Sequence, residues 1–81
     1  MSGTVIVVGE DLGKARELGA MLGLARPVHV SGRSLKMGAG RGVAAAAAIV
    51  ASDVELDAEA MATVRACVDR RSGRVYRLER I

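Results

Sequence analysis

The chain has 81 residues, 51% of them hydrophobic and 26% charged, with a net charge of +3. That length holds a single core, hence one domain over residues 1–81, and that balance predicts folding rather than disorder. One Tyr without Phe or Trp removes the stacking platforms of single-strand and RNA binders, and one Cys with one His excludes a disulfide scaffold and a structural zinc site.

Thr4-Val5-Ile6-Val7-Val8, closed by Gly9, is apolar at successive positions, as a strand buried on both faces in a parallel sheet would be. Glu10-Asp11 opens a helical pattern that runs to about Leu24. Leu12, Ala15, Leu18 and Leu22 share one face, Asp11 is the expected N-cap, and Pro27 marks the end. Pro27 to Ser31 alternates and predicts a short second strand. Gly32 to Gly42 holds four glycines and three positive charges in 11 residues and predicts a loop. Val43 to Ala51 reads two ways. Alanine is the best helix former, yet the close Ala-Ile-Val-Ala-Ser-Asp is strand-like, and a strand lets a second βαβ unit follow. A helix from about Asp57 to Arg71 would carry Met61, Val64 and Val68 on one face with Cys67 beside them, and Ser72-Gly73 would end it. Arg74 to Ile81 alternates strictly and predicts an edge strand. Val75, Arg77 and Glu79 would point one way, and Tyr76, Leu78 and Arg80 the other.

Charge is segregated along the chain. Residues 1–17 sum to −1, residues 18–52 to +4, residues 53–60 to −4 and residues 61–81 to +4, which predicts a patchy surface. No apolar run reaches the roughly 18 residues of a membrane span. Met1-Ser2-Gly3-Thr4 lacks the basic start of a signal peptide, so the expected location is the cytoplasm.

Catalytic signatures fail in turn. Gly9 to Ala15 sits where a P-loop would, but only three residues separate its glycines. Ala15 replaces the magnesium-binding hydroxyl, and Glu10 and Asp11 would repel phosphate. Ala48 to Asp53 is similar to a Walker-B strand, so the pair suggests a P-loop core with its chemistry lost. Gly38, Gly40 and Gly42 do not complete a dinucleotide fingerprint, because Val43 stands where the last glycine belongs and no strand immediately precedes them. Cys67 reads as a core thiol, and His29 as structural, with no aspartate partner in sequence. Asp53, Glu55, Asp57 and Glu59 lack the glycine and terminal glutamate of a calcium loop and read as a cap and a solvated face. No catalytic residue, metal site or cofactor is expected. The arginines of 65–80 read as edge-strand guards or as a footprint for an acidic partner.

The remaining candidate is the 32–42 loop. Arg33, Ser34, Lys36 and Arg41, among Gly38, Gly40 and Gly42, could clamp a phosphate through guanidinium and backbone N–H groups. That clamp requires the acidic 53–59 block to face away.

Val5 to Gly9, Ala15-Arg16-Glu17-Leu18, Leu22 to Pro27, the Ser31-Gly32-Arg33-Ser34 loop, the Gly40-Arg41-Gly42 turn and Val75 to Leu78 resemble small proteins of phages that infect high-GC actinobacteria. Ten Arg against two Lys, and 14 Ala, agree with a high-GC coding sequence. The resemblance covers most of the chain. It implies a shortened Rossmann or P-loop-like core, no activity, and an accessory role in a host cell's cytoplasm.

The expected fold is therefore α/β: a small, mainly parallel four-stranded sheet with two helices, ordered β-α-β, loop, β-α-β, half-Rossmann in kind. Were both helices on one face, the other would be bare, and the simplest cover is a second copy. The expected function is non-enzymatic protein–protein contact with homo-oligomerisation, a dimer first, and with a host protein as further partner. The alternatives are nucleic-acid or phosphate binding by the 32–42 loop, and nucleotide binding without hydrolysis.

Overall fold

The computed structural model describes residues 4–24, 27–38, 44–52, 54–69 and 72–78. The elements are β1 (Thr4–Gly9), α1 (Leu12–Met21), β2 (Val28–Ser31), α2 (Gly32–Lys36), β3 (Ala45–Val50), α3 (Ala58–Asp69) and β4 (Arg74–Arg77). All four strands are parallel, in the order β2-β1-β3-β4.

β1 is central, and Ile6, Val7 and Val8 are fully buried, which explains its unbroken apolar run. The alanine-rich segment is a strand, Ala45–Val50, paired between β1 and β4. Helix propensity loses here because Ala48 and Val50 gain full burial in a sheet interior.

Right-handed crossovers place the helices on two faces, because the chain runs from β1 to β2 in one direction and from β3 to β4 in the other. α1 lies over β1 and β2. Gly9 and Gly19 permit its close approach. A Cβ on Gly9 would stand 2.5 Å from the Ala15 nitrogen, and one on Gly19 3.0 Å from His29 Nε2. α2 and α3 cover the opposite face. There Ile6, Val8, Val30, Ala48 and Val50 meet Leu35, Val64 and Val68 in one apolar cluster. Cys67 is buried in that cluster, as expected of a core thiol.

Three expectations are corrected. The described residues hold three helices rather than two: residues 32–36 form α2 at the start of the segment whose glycines predict a loop. Ser31 caps it reciprocally, its Oγ accepting from the Ser34 N–H at 3.1 Å while its own N–H donates to Ser34 Oγ at 2.8 Å. Leu35, 4% exposed, anchors the turn in the core. The glycine count hid this, because Gly32 merely starts the helix and Gly38, at φ 99°, follows its cap. The apolar stripe of α1 is also narrower than its spacing suggests. Ala15 and Gly19 are buried, while Leu12 and Leu22 are exposed, because α1 seats on only two strands. Finally, α1 ends earlier than expected, at Met21 before Gly23 (φ 69°). α3 spans Ala58–Asp69, with the Ala60 N–H donating to Asp57 Oδ1 at 2.8 Å, and the expected end at Arg71 lies outside the described residues.

Candidate functional site

Two surfaces stand out: one end of the sheet, and one half of a face. At the carboxyl end, α2 follows directly on β2, and the segment 54–57 leads from β3 into α3. Gly32, Arg33 and Lys36 face Glu55, Leu56 and Asp57 across a cleft of about 370 Å³. Lys36 Nζ lies 2.7 Å from Asp57 Oδ2. This hydrogen bond, and then that from the Ala60 N–H, holds the Asp57 carboxyl below the usual carboxylate range. The same bond raises the Lys36 ammonium above its ordinary value.

Thus the acidic block does not face away from the basic segment; it shares a rim with it. Arg33 and Lys36 line the cleft, whereas Ser34 is engaged in the α2 cap, and Gly38 lies beyond the helix end. Gly40, Arg41 and Gly42, like Asp53, Arg70, Arg71 and Arg80, fall outside the described residues. The pairing of Lys36 with Asp57 spans 21 positions. Its only sequence signal was the adjacency of opposite charge blocks.

The strand order reverses between β1 and β3, where doubly wound sheets open their ligand crevice. Here two residues, Glu10 and Asp11, join β1 to α1, and Asp11 Oδ1 accepts the Lys14 N–H at 2.8 Å. That turn is too short to cradle a phosphate, and the Asp11 carboxylate already accepts one of the helix's first N–H groups. Among the described residues, no group of three or more His, Cys, Asp or Glu gathers to hold a metal ion. No described helix is long and apolar enough to cross a membrane.

The second surface is the β3–β4 half of the face that bears α1. Register puts Ala47 beside Arg74 and Ile49 beside Tyr76 on this side, while Val75 and Arg77 point toward α3. Ala47 and Ile49 are half-buried; Arg74 and Tyr76 are exposed, Tyr76 at 52%. No described helix covers these two strands here. Arg77, exposed on the α3 side, donates from its Nη1 to the Val54 carbonyl at 2.7 Å.

These features define a small, all-parallel, Rossmann-like α/β domain in which the described helices cover one face of the sheet and the β1–β2 half of the other. The chain matches no family model, no curated protein and no solved structure in the comparisons made with each.

Proposed function

We propose that the chain is a non-enzymatic accessory protein that works through protein–protein contacts, with a second copy of itself as first partner. The observation that carries this reading is the β3–β4 half-face, where the strand residues Ile49 and Tyr76 lie under no described helix. A parallel sheet with one bare side is unusual, because its strands are apolar on both faces. Pairing two such half-faces about a two-fold axis would take Tyr76 and Ile49 out of water. A phage source, the cytoplasm of an infected cell and a host protein as further partner belong to this reading through the sequence resemblance.

Light scattering coupled to size-exclusion chromatography, at low and high salt and with and without a short DNA duplex, tests it. A dimer that persists in salt and ignores DNA supports it, since apolar association is insensitive to screening. A monomer at every concentration overturns it. A monomer that moves onto DNA only at low salt transfers the function to the 32–42 segment. Charge balance in the cleft weighs against that outcome, because Glu55 and Asp57 share the rim with Arg33 and Lys36.

A further inference from the structure

We propose that the cleft between α2 and the 54–57 segment binds a small zwitterion, an aliphatic amino acid or dipeptide carrying both a free ammonium and a free carboxylate. The lining divides into two kinds of group. Lys36 and Asp57 are committed to each other, and Asp57 spends its second oxygen on the Ala60 N–H. They form one side of the cleft as an ion pair. Arg33 and Glu55 line the same cleft, and their side chains have no hydrogen-bond or ion-pair partner among the described residues. One cation and one anion are therefore presented together and are not paired with each other.

A simple anion meets Arg33 favourably but Glu55 unfavourably, and a simple cation meets the reverse. Only a ligand with both charges satisfies both side chains. Its carboxylate would take the planar fork of Arg33, and its ammonium would donate to Glu55. Between them, Leu56, Ala60 and the bare backbone of Gly32 supply an apolar floor for an aliphatic side chain. The volume of about 370 Å³ lies at the small end of ligand sites. The cleft lies at the carboxyl end of the sheet, the end at which open parallel sheets bind ligands, between the segments that follow β2 and β3 rather than at the β1–α1 turn. This inference is independent of self-association, because the cleft and the open half-face lie on different sides of the sheet.

The test is a titration of the full chain, followed by amide ¹H–¹⁵N shifts, with glycyl-leucine as probe. Saturable shifts at Gly32, Leu56 and Ala60, with Kd on the order of 1 mM, are expected. N-acetylglycyl-leucine lacks the ammonium and glycyl-leucinamide lacks the carboxylate; each should bind about tenfold more weakly. Arg33→Gln and Glu55→Gln are exposed changes that leave the fold intact, and each should bring glycyl-leucine to the affinity of the matching truncated probe. The proposal fails if none of the three amides shifts saturably by about 20 mM glycyl-leucine. It fails equally if the capped probes bind as well as the parent, or if inorganic phosphate binds better and Glu55→Gln improves it, which marks an anion site.

Discussion

Among the described glycines, Gly73 has the least room for a side chain. A Cβ there would stand 2.4 Å from the Ala46 carbonyl oxygen, and backbone cannot yield as a flexible side chain can. Gly73→Ala should therefore cost about 1–3 kcal/mol, lowering Tm by roughly 5–15 °C in a thermal melt. A smaller effect follows at Asp57. Its carboxyl is depressed in the folded state, so its ion pair stabilises above the ordinary carboxylate pKa. That contribution disappears as pH falls through the depressed folded value. Lys36 is raised, so its share persists at ordinary pH and is lost only as pH climbs past the lysine range. Asp57→Asn keeps an acceptor for the Ala60 N–H and removes the charge. Urea midpoints of this variant should vary less with pH on the acid side than those of the parent, and the difference should shrink in salt because both groups are exposed.

At the scale of elements, α2 is the part least supported by length and most by its cap. Five residues cannot sustain a helix by propensity. Its existence rests on the Ser31–Ser34 exchange and on burial of Leu35. Ser31→Ala should cost about 1 kcal/mol, and amide hydrogen exchange should show faster exchange across 34–37 while the β1 amides keep their protection. The link from β4 to the 54–57 segment is equally local. Arg77→Ala removes the donor to the Val54 carbonyl. It should lower stability by about 1 kcal/mol, read as a reduced urea midpoint with an unchanged slope. Both segments border the cleft, so the same variants report how firmly its walls are held.

For the whole molecule, the governing fact is unequal helix cover. One face has α2 and α3 over a contiguous apolar cluster, and the other has α1 over β1 and β2 alone. Tyr76 is the largest side chain on the open half and is already 52% exposed, so Tyr76→Glu should leave the monomer folded. If the half-face is the self-association surface, this variant should shift the dimer to monomer in light scattering with less than about 0.5 kcal/mol change in monomer stability. Val64→Ala, at the centre of the α3 face, should do the opposite. It costs about 2 kcal/mol of folding stability through a cavity and leaves association per folded chain unchanged.

Much of the fold was legible because its signals are local. The unbroken apolar run of β1, the alternation of β4 and the three-four spacing of α3 each encode an element within about ten residues. The parallel α/β class follows from their order. The strand-like close of β3 and the segregated charge blocks were also visible, and the glycine-rich basic segment singled out Arg33 and Lys36 as candidates. Tertiary structure alone decided the rest. α2 emerged only because Leu35 finds a core to enter, and a glycine-rich stretch read by itself cannot show that. The strand order β2-β1-β3-β4 is a matter of long-range pairing, and it assigned the helices to two faces, leaving half of one open. The Lys36–Asp57 pair, and the cleft it shares with Arg33 and Glu55, likewise depend on α2 meeting the entrance of α3 across the sheet end, a proximity that spacing along the chain does not carry.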